Sequence, residues 1–279
     1  MNLIKTKMRI KKIARFSLKP LAPLIDKISP GNNFAIFHLG RCGSAVLGQL
    51  LKQHPQIYWG SELYSPIFKK WQDNNNGEEK IENMPDDALK ILRDDMLMAL
   101  HRQYGYSIKP FHFSLISYSL ESYLNHLDSL NYSRFVVLDR NNRLRKIVSS
   151  MIMHQYQIGH IEKKSRPKKK KVSINLNSIK IDFDNKPLIE YLIDYDKQFK
   201  SLRKALSARD VIYLTYENDI EVDPKKAYKK ICNFLNLNPL PVKVKFSKTN
   251  PFALKEMIEN FAEVEEALCN TPYEWMLYK

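Results

Sequence analysis

Phe34-Ala35-Ile36-Phe37-His38 is a short apolar run bounded by Gly31 and Gly40. Its length and its lack of alternation predict a buried strand. After the turn Gly40-Arg41-Cys42-Gly43 the period changes. Val46, Leu47, Leu50 and Leu51 fall on one helical face over 44–53, and His54-Pro55 ends it. Ile57-Tyr58-Trp59 predicts a second strand, and residues 72–86 a polar loop. Helical patterns follow over 87–103 and 114–129, around a strand at Tyr106-Ser107-Ile108-Lys109. Arg134–Asp139 is the strongest strand pattern in the chain, and a helix over 142–157 follows it. Residues 158–186 interrupt the alternation. It resumes with a helix over 187–206, a strand at Val211–Thr215, a helix over 224–236 opened by Asp223-Pro224, and a helix over 252–268. Strands alternating with helices predict an α/β fold whose central parallel sheet is covered by helices on both faces.

Charge refines this picture through its placement. The 279 residues carry a formal +15, which suggests an anionic partner. Residues 1–19 hold seven cations and no acid, and KKSRPKKKK at 163–171 holds seven more, so the rest of the chain carries only +1. That distribution argues against a broad basic face for nucleic acid, and none is expected as a partner. The chain divides into a basic N-terminal helix and Pro-punctuated connector over 1–30 and an α/β domain over 31–279, with a basic loop insertion at about 158–186. The 1–19 segment is a candidate contact for anionic membrane. Cys42, Cys232 and Cys269 are too few and too scattered for a disulfide framework or zinc module. A cytoplasmic setting is the default, peripheral at the inner face of the membrane if residues 1–19 touch lipid. No signal peptide or membrane-spanning run is expected.

Chemistry concentrates at the strand–turn–helix of 34–51. A glycine-bearing turn between strand and helix lets backbone N–H groups converge on an anion. The helix dipole, the Ser44 hydroxyl and the Arg41 fork add to that pull. The nucleotide-kinase pattern GxxxxGK[ST] is absent. Taken alone, the turn is equally an ordinary βα connection with a surface arginine. The second strand–helix junction places Arg140 at the C-terminal end of a strand, where open α/β sheets bind ligands. Ser149 lies nine residues on in the following helix. Taken alone, Arg140, Arg143 and Arg145 read as a solvated helix face.

Four segments in order complete the pattern: GRCGSAVLGQLL, Leu138–Ser149, YENDIEVDPKKAYKKICNFLNL, and a tail from Lys248-Thr249-Asn250-Pro251 through Ile258–Val264 to Thr271-Pro272-Tyr273-Glu274-Trp275. Together they resemble the sulfotransferases that use 3'-phosphoadenosine 5'-phosphosulfate (PAPS), bacterial nodulation-factor-type and related carbohydrate enzymes above all. The resemblance covers about 33–277 with gaps. It implies a P-loop-like three-layer fold and transfer of a sulfuryl group from PAPS to an acceptor hydroxyl, on a saccharide or glycolipid, without a metal. By the same resemblance the loop Arg41, Cys42, Gly43, Ser44 and Ala45 holds the 5'-phosphosulfate. Arg41 steadies charge on the bridging oxygen, and Arg140 and Ser149 hold the 3'-phosphate. Tyr216, Lys248 and Thr249 complete the cofactor site. Glu62 is the first choice for the general base, His112 the second, and Lys109 supports the transferring group.

Three positions depart from the family pattern. Ala45 lacks a hydroxyl common there, Asp139 stands where it would partly neutralise Arg140, and Asn218 replaces an acid beside Glu217. Two other readings stay open on the residues themselves: a nucleotide-binding kinase of P-loop type, and a non-enzymatic protein that binds polyanions or membranes through the two basic segments.

Overall fold

The computed structural model describes residues 33–278 apart from 66, 68–84, 111, 114–115, 117, 160, 163–166 and 183. The basic helix expected over 1–30, much of the 72–86 loop and the start of the basic run lie outside the described residues. Five strands make the central sheet: β1 Asn33–His38, β2 Ile57–Glu62, β3 Gln103–Ile108, β4 Tyr132–Asp139 and, later in the chain, β8 Asp210–Thr215. Their order is β2-β3-β1-β4-β8, and every pairing is parallel. Parallel strands need crossovers. These are α1 Ser44–Leu51, α2 Pro85–Met96, α3 Leu120–Ser129, α4 Arg143–Tyr156 and α5 Leu188–Ala205, and α6 Lys225–Phe234 follows β8. The central-sheet, helix-flanked α/β class expected from the pattern is what the chain adopts.

Each strand sends alternate side chains to opposite faces. Phe34 and Ile36 pack with Val136, Leu138 and Leu214 against Leu47 and Leu50 of α1 and Tyr228 and Ile231 of α6. Ala35 and Phe37 pack on the other face with Tyr106, Phe135 and Val137 against Leu92 of α2, Leu124 and Leu127 of α3 and Phe199 of α5. Both faces are covered, so these strands read as continuous apolar runs rather than alternating ones. On the second face, Tyr123 joins Tyr64 at 2.8 Å and Tyr106 at 2.7 Å through their hydroxyls, which gives three buried phenols partners.

The structure moves some boundaries. The 87–103 helix ends as α2 at Met96 with a 3₁₀ turn at Leu97–Ala99, because Leu100 adopts φ +54. That frees Gln103 to begin β3 ahead of the expected Tyr106. Gly105 masked this start, and the sheet requires it: a Cβ there would lie 2.1 Å from Phe34 Cζ. Of the helix expected over 114–129, Leu120–Ser129 is helical, and the Ser119 hydroxyl accepts the Ser122 N–H at 3.1 Å, a cap of about 1 kcal/mol.

The 252–268 helix splits into α7 Leu254–Met257 and α8 Phe261–Leu268. Between them the chain opens to pair with the interrupting segment. Val172 N–H donates to Met257 O, and Glu259 N–H donates to Val172 O, both at 2.9 Å. The short strands β5 Ile161–Glu162, β6 Ile179–Ile181 and β7 Asp184–Lys186 lie in that segment, and β5 pairs with β9 Phe246–Ser247. Val172, Ile174, Ile179 and Ile181 are buried against α4, α5, α7 and α8 in a third apolar cluster. No described helix is long and apolar enough to cross a membrane.

Candidate active site

The C-terminal ends of β1, β2, β3 and β4 open on one cleft of about 670 Å³, within the size range of small-ligand sites. Arg41, Gly43, Ser44, Ala45, Glu62, Lys109, Arg140, Ser149, Tyr216, Lys248 and Thr249 all line it. Residues from six separate segments therefore meet where a sheet of this order accepts ligands.

The loop between β1 and α1 turns through left-handed backbone. Gly40 has φ +80, Arg41 φ +54 and Gly43 φ +84. Gly43 precedes the first residue of α1, and a Cβ on it would lie 2.5 Å from Ile220 Cγ2. Only glycine lets the loop pass Ile220 with its backbone turned towards the cleft. The strained Arg41 conformation is held by Arg140, whose Nη1 donates to the Arg41 carbonyl at 2.8 Å.

The Arg41 guanidinium is held by residues from distant segments. Its Nε donates to Ser149 Oγ at 2.9 Å and its Nη2 to Thr249 Oγ1 at 3.3 Å. Its Nη1 reaches the Gly159 carbonyl at 3.3 Å. The cation thus lies with Ser149, expected at the 3'-phosphate, and with Thr249, expected to complete the cofactor site. Arg140 stacks over the Tyr216 ring at 4.4 Å, and its Nε has no hydrogen-bond partner among the described residues. Burial lowers both guanidinium pKa values, and Arg140 lowers that of Arg41 further. Two cations held together among neutral partners make a site that favours an anion.

Asp139 does not neutralise Arg140. Its carboxylate pairs with the Arg143 guanidinium at 2.6 Å and accepts the Arg140 backbone N–H. Glu217 accepts the N–H groups of Asn141 and Asn142, each at 3.0 Å, and so pins the start of α4. Beside it, residues Tyr216–Ile220 form a π-turn after β8, an irregularity often found at functional sites. Lys248 pairs with Glu221 at 3.3 Å across the cleft rim.

β2 runs past its expected end at Trp59 as far as Glu62, and its register against β3 shifts between the two. Ser61 takes φ +68 there. This irregularity re-aims Glu62 into the cleft. Lys109 Nζ lies 2.8 Å from Glu62 Oε2, and Ser65 Oγ donates to the same oxygen at 2.8 Å. Burial pushes the Glu62 carboxyl up, but Lys109, His38 and Ser65 outweigh it and hold the group at about 2.

Two expected side chains do not reach the cleft. Cys42 is 1% exposed and packs in the apolar cluster beneath α1. Burial pushes its thiol up to about 11, so it is an inert packing residue. His112 is completely buried, its Nδ1 accepting the Lys109 N–H at 3.2 Å. Burial and then Lys109 lower it to about 3. A proton acceptor must reach the acceptor hydroxyl, and buried neutral His112 does not.

Two groups gave no sequence signal. His38 is a polar residue at the end of an apolar strand, just before the glycine turn. Lys146 lies on the buried face of α4, with its Nζ donating to Tyr195 Oη at 2.8 Å. Burial lowers Lys146 to about 8 although Asp182 opposes the shift. It lines a smaller cavity of about 290 Å³ that meets the main cleft at Leu39, Lys109 and Asp182.

No protein-family model matches the chain, and no curated protein does. Among solved structures it is similar to a sulfotransferase from Alicyclobacillus acidocaldarius. The identity is 15%, over 88% of this chain and 94% of that one, with a TM-score of 0.48. It is also similar to a sulfotransferase from Mycobacterium tuberculosis H37Rv, at 11% identity over 80% of this chain and 72% of that one, with a TM-score of 0.42.

Proposed function

We propose that the protein is a sulfotransferase that moves a sulfuryl group from PAPS to an acceptor hydroxyl. The observation that carries this reading is the convergence on one cleft of two guanidinium groups among neutral partners and a Glu62–Lys109 pair. The first pair suits the phosphates of a nucleotide, and the second suits proton removal beside a developing negative charge. The orphaned Arg140 Nε and the cleft volume of about 670 Å³ fit such a donor. Arg41, Arg140, Ser149, Lys248 and Thr249 would hold its 3'-phosphate side. The backbone N–H groups at the start of α1 would hold the 5' side.

Bound there, PAPS supplies a sulfuryl group whose bond to the bridging phosphate oxygen breaks as the acceptor oxygen bonds to sulfur. Glu62 takes the hydroxyl proton. Lys109, paired with Glu62, would offset charge at the transferring group by preorganised electrostatics. The acceptor enters through the adjoining 290 Å³ cavity, where Asp182, Tyr195 and Gln198 offer groups for hydroxyl hydrogens. A saccharide or glycolipid hydroxyl fits that polar wall. In the same reading the basic residues 1–19 meet an anionic membrane surface.

The test is a thermal shift followed by turnover. Adenosine 3',5'-bisphosphate is expected to raise Tm without magnesium, and ATP is not. Glu62→Gln is expected to lower turnover of PAPS with a hydroxyl acceptor at least 100-fold, with bisphosphate affinity kept within about threefold. Stabilisation by magnesium–ATP alone, or full turnover by Glu62→Gln, would overturn the assignment.

A further inference from the structure

His38 closes β1 immediately before the anion loop. Its side chain is completely buried, yet its Nε2 has no hydrogen-bond partner among the described residues. Its Nδ1 accepts the Gly40 N–H at 3.0 Å. A neutral imidazole has one donor nitrogen and one acceptor, so Nε2 carries the hydrogen. The charged and titratable groups around it are Glu62 on β2, Lys109 and His112 after β3, and Lys146 on α4. Burial lowers His38 to about 4 against the pull of Glu62, so the ring is neutral near pH 7.

Nε2 lies 3.9 Å from Glu62 Oε1, just beyond hydrogen-bond reach. The other carboxylate oxygen is the one taken by Lys109 and Ser65. Burial favours protonation of Glu62, and Lys109 is the main influence against it. If Lys109 turned to the transferring group with nothing in its place, burial would act on the carboxyl with less opposition and push its pKa upward.

We propose that His38 is a positioning residue for the Glu62 base: as Lys109 turns to the transferring group, the carboxylate closes onto His38 Nε2–H, which keeps it ionised and oriented. This rests on the sulfuryl-transfer reading. It also ties the base to the loop, because the Gly40 N–H that sets the His38 tautomer belongs to the turn that receives the anion.

Lys109→Met mimics the departure of the lysine. Nitrogen-15 histidine NMR of the full chain is expected to show His38 as the Nε2–H tautomer. In Lys109→Met the Nε2–H proton should move downfield and exchange about tenfold more slowly. His38→Leu is expected to move the acid limb of the kcat profile up by about one pH unit, with the KM for PAPS unaltered. His38→Gln, whose amide N–H replaces Nε2–H, is expected to bring the limb back. An Nδ1–H tautomer, a proton indifferent to Lys109→Met, or a loss of kcat equal at every pH would overturn the proposal. If His38→Leu fails to fold, the NMR of the wild type and Lys109→Met decides it. Absence of any sulfuryl transfer by the wild type would refute the functional reading instead, and the NMR comparison would still judge the His38–Glu62 contact.

Discussion

Gly43→Ala tests whether the anion loop depends on the close passage of its backbone past the π-turn. At φ +84 an alanine costs about 1–2 kcal/mol relative to its preferred conformations. The new methyl would also meet Ile220 Cγ2 at 2.5 Å and Tyr216 Cδ2 at 3.3 Å. Carbon atoms rest at about 3.5–4.0 Å, so Ile220 must give by about 1 Å. It is 4% exposed and packed among Val136, Leu214 and Tyr228. Overpacking of such a site costs about 1–3 kcal/mol. The expected loss is therefore about 2–5 kcal/mol, read by urea unfolding at pH 7, together with a weaker thermal shift from adenosine 3',5'-bisphosphate. Ile220→Ala removes the clashing atom and leaves the backbone cost in place. In that background Gly43→Ala should cost only about 1–2 kcal/mol, and the difference is the coupling between the two residues. Equal costs in both backgrounds, or a cost below about 1 kcal/mol in the wild type, would refute the close-packed loop.

Two further outcomes follow from the same site. His38 and His112 are buried and neutral, with pKa values lowered to about 4 and about 3. Their contribution to stability is complete above pH 6.5, where the unfolded imidazoles are also neutral, and is lost as pH falls from there towards 4. At pH 5 the expected loss is about 2 kcal/mol per histidine. His112→Gln should remove about half of the drop in unfolding free energy between pH 7 and pH 5, and an unaltered drop would contradict neutral burial. Arg140→Lys removes both the fork and the bond to the Arg41 carbonyl. Isothermal titration is expected to show about 10–100-fold weaker binding of adenosine 3',5'-bisphosphate, and equal affinity would place the phosphates elsewhere.

Much of the fold was legible in the chain because the signals are local. The run from Phe34 to His38, the glycine turn and the 3.6-residue period after it report a strand, a loop and a helix whatever surrounds them. The same holds for Arg134–Asp139 and the helix after it. Arg41 and Arg140 were legible as candidates because they stand beside those junctions, and Lys248 only through the resemblance of the tail.

Where the side chains of the junctions lie was decided by partners far away in sequence. Cys42 and Ser44 are two residues apart in one turn, yet one faces the core beneath α1 and the other the cleft. Arg41 was expected at the bridging oxygen, but Ser149 and Thr249, 108 and 208 residues away, hold its guanidinium. Glu62 reaches the cleft because the pairing of β2 with β3 slips between Trp59 and Glu62, which no period in β2 alone announces. His38 reads as the last residue of a buried strand. Only the arrival of Glu62 from another strand gives its Nε2–H something to face. Periodicity is a property of neighbouring residues, and it set the strands, helices and turns. Register, burial and ionisation depend on groups that only the folded sheet brings together.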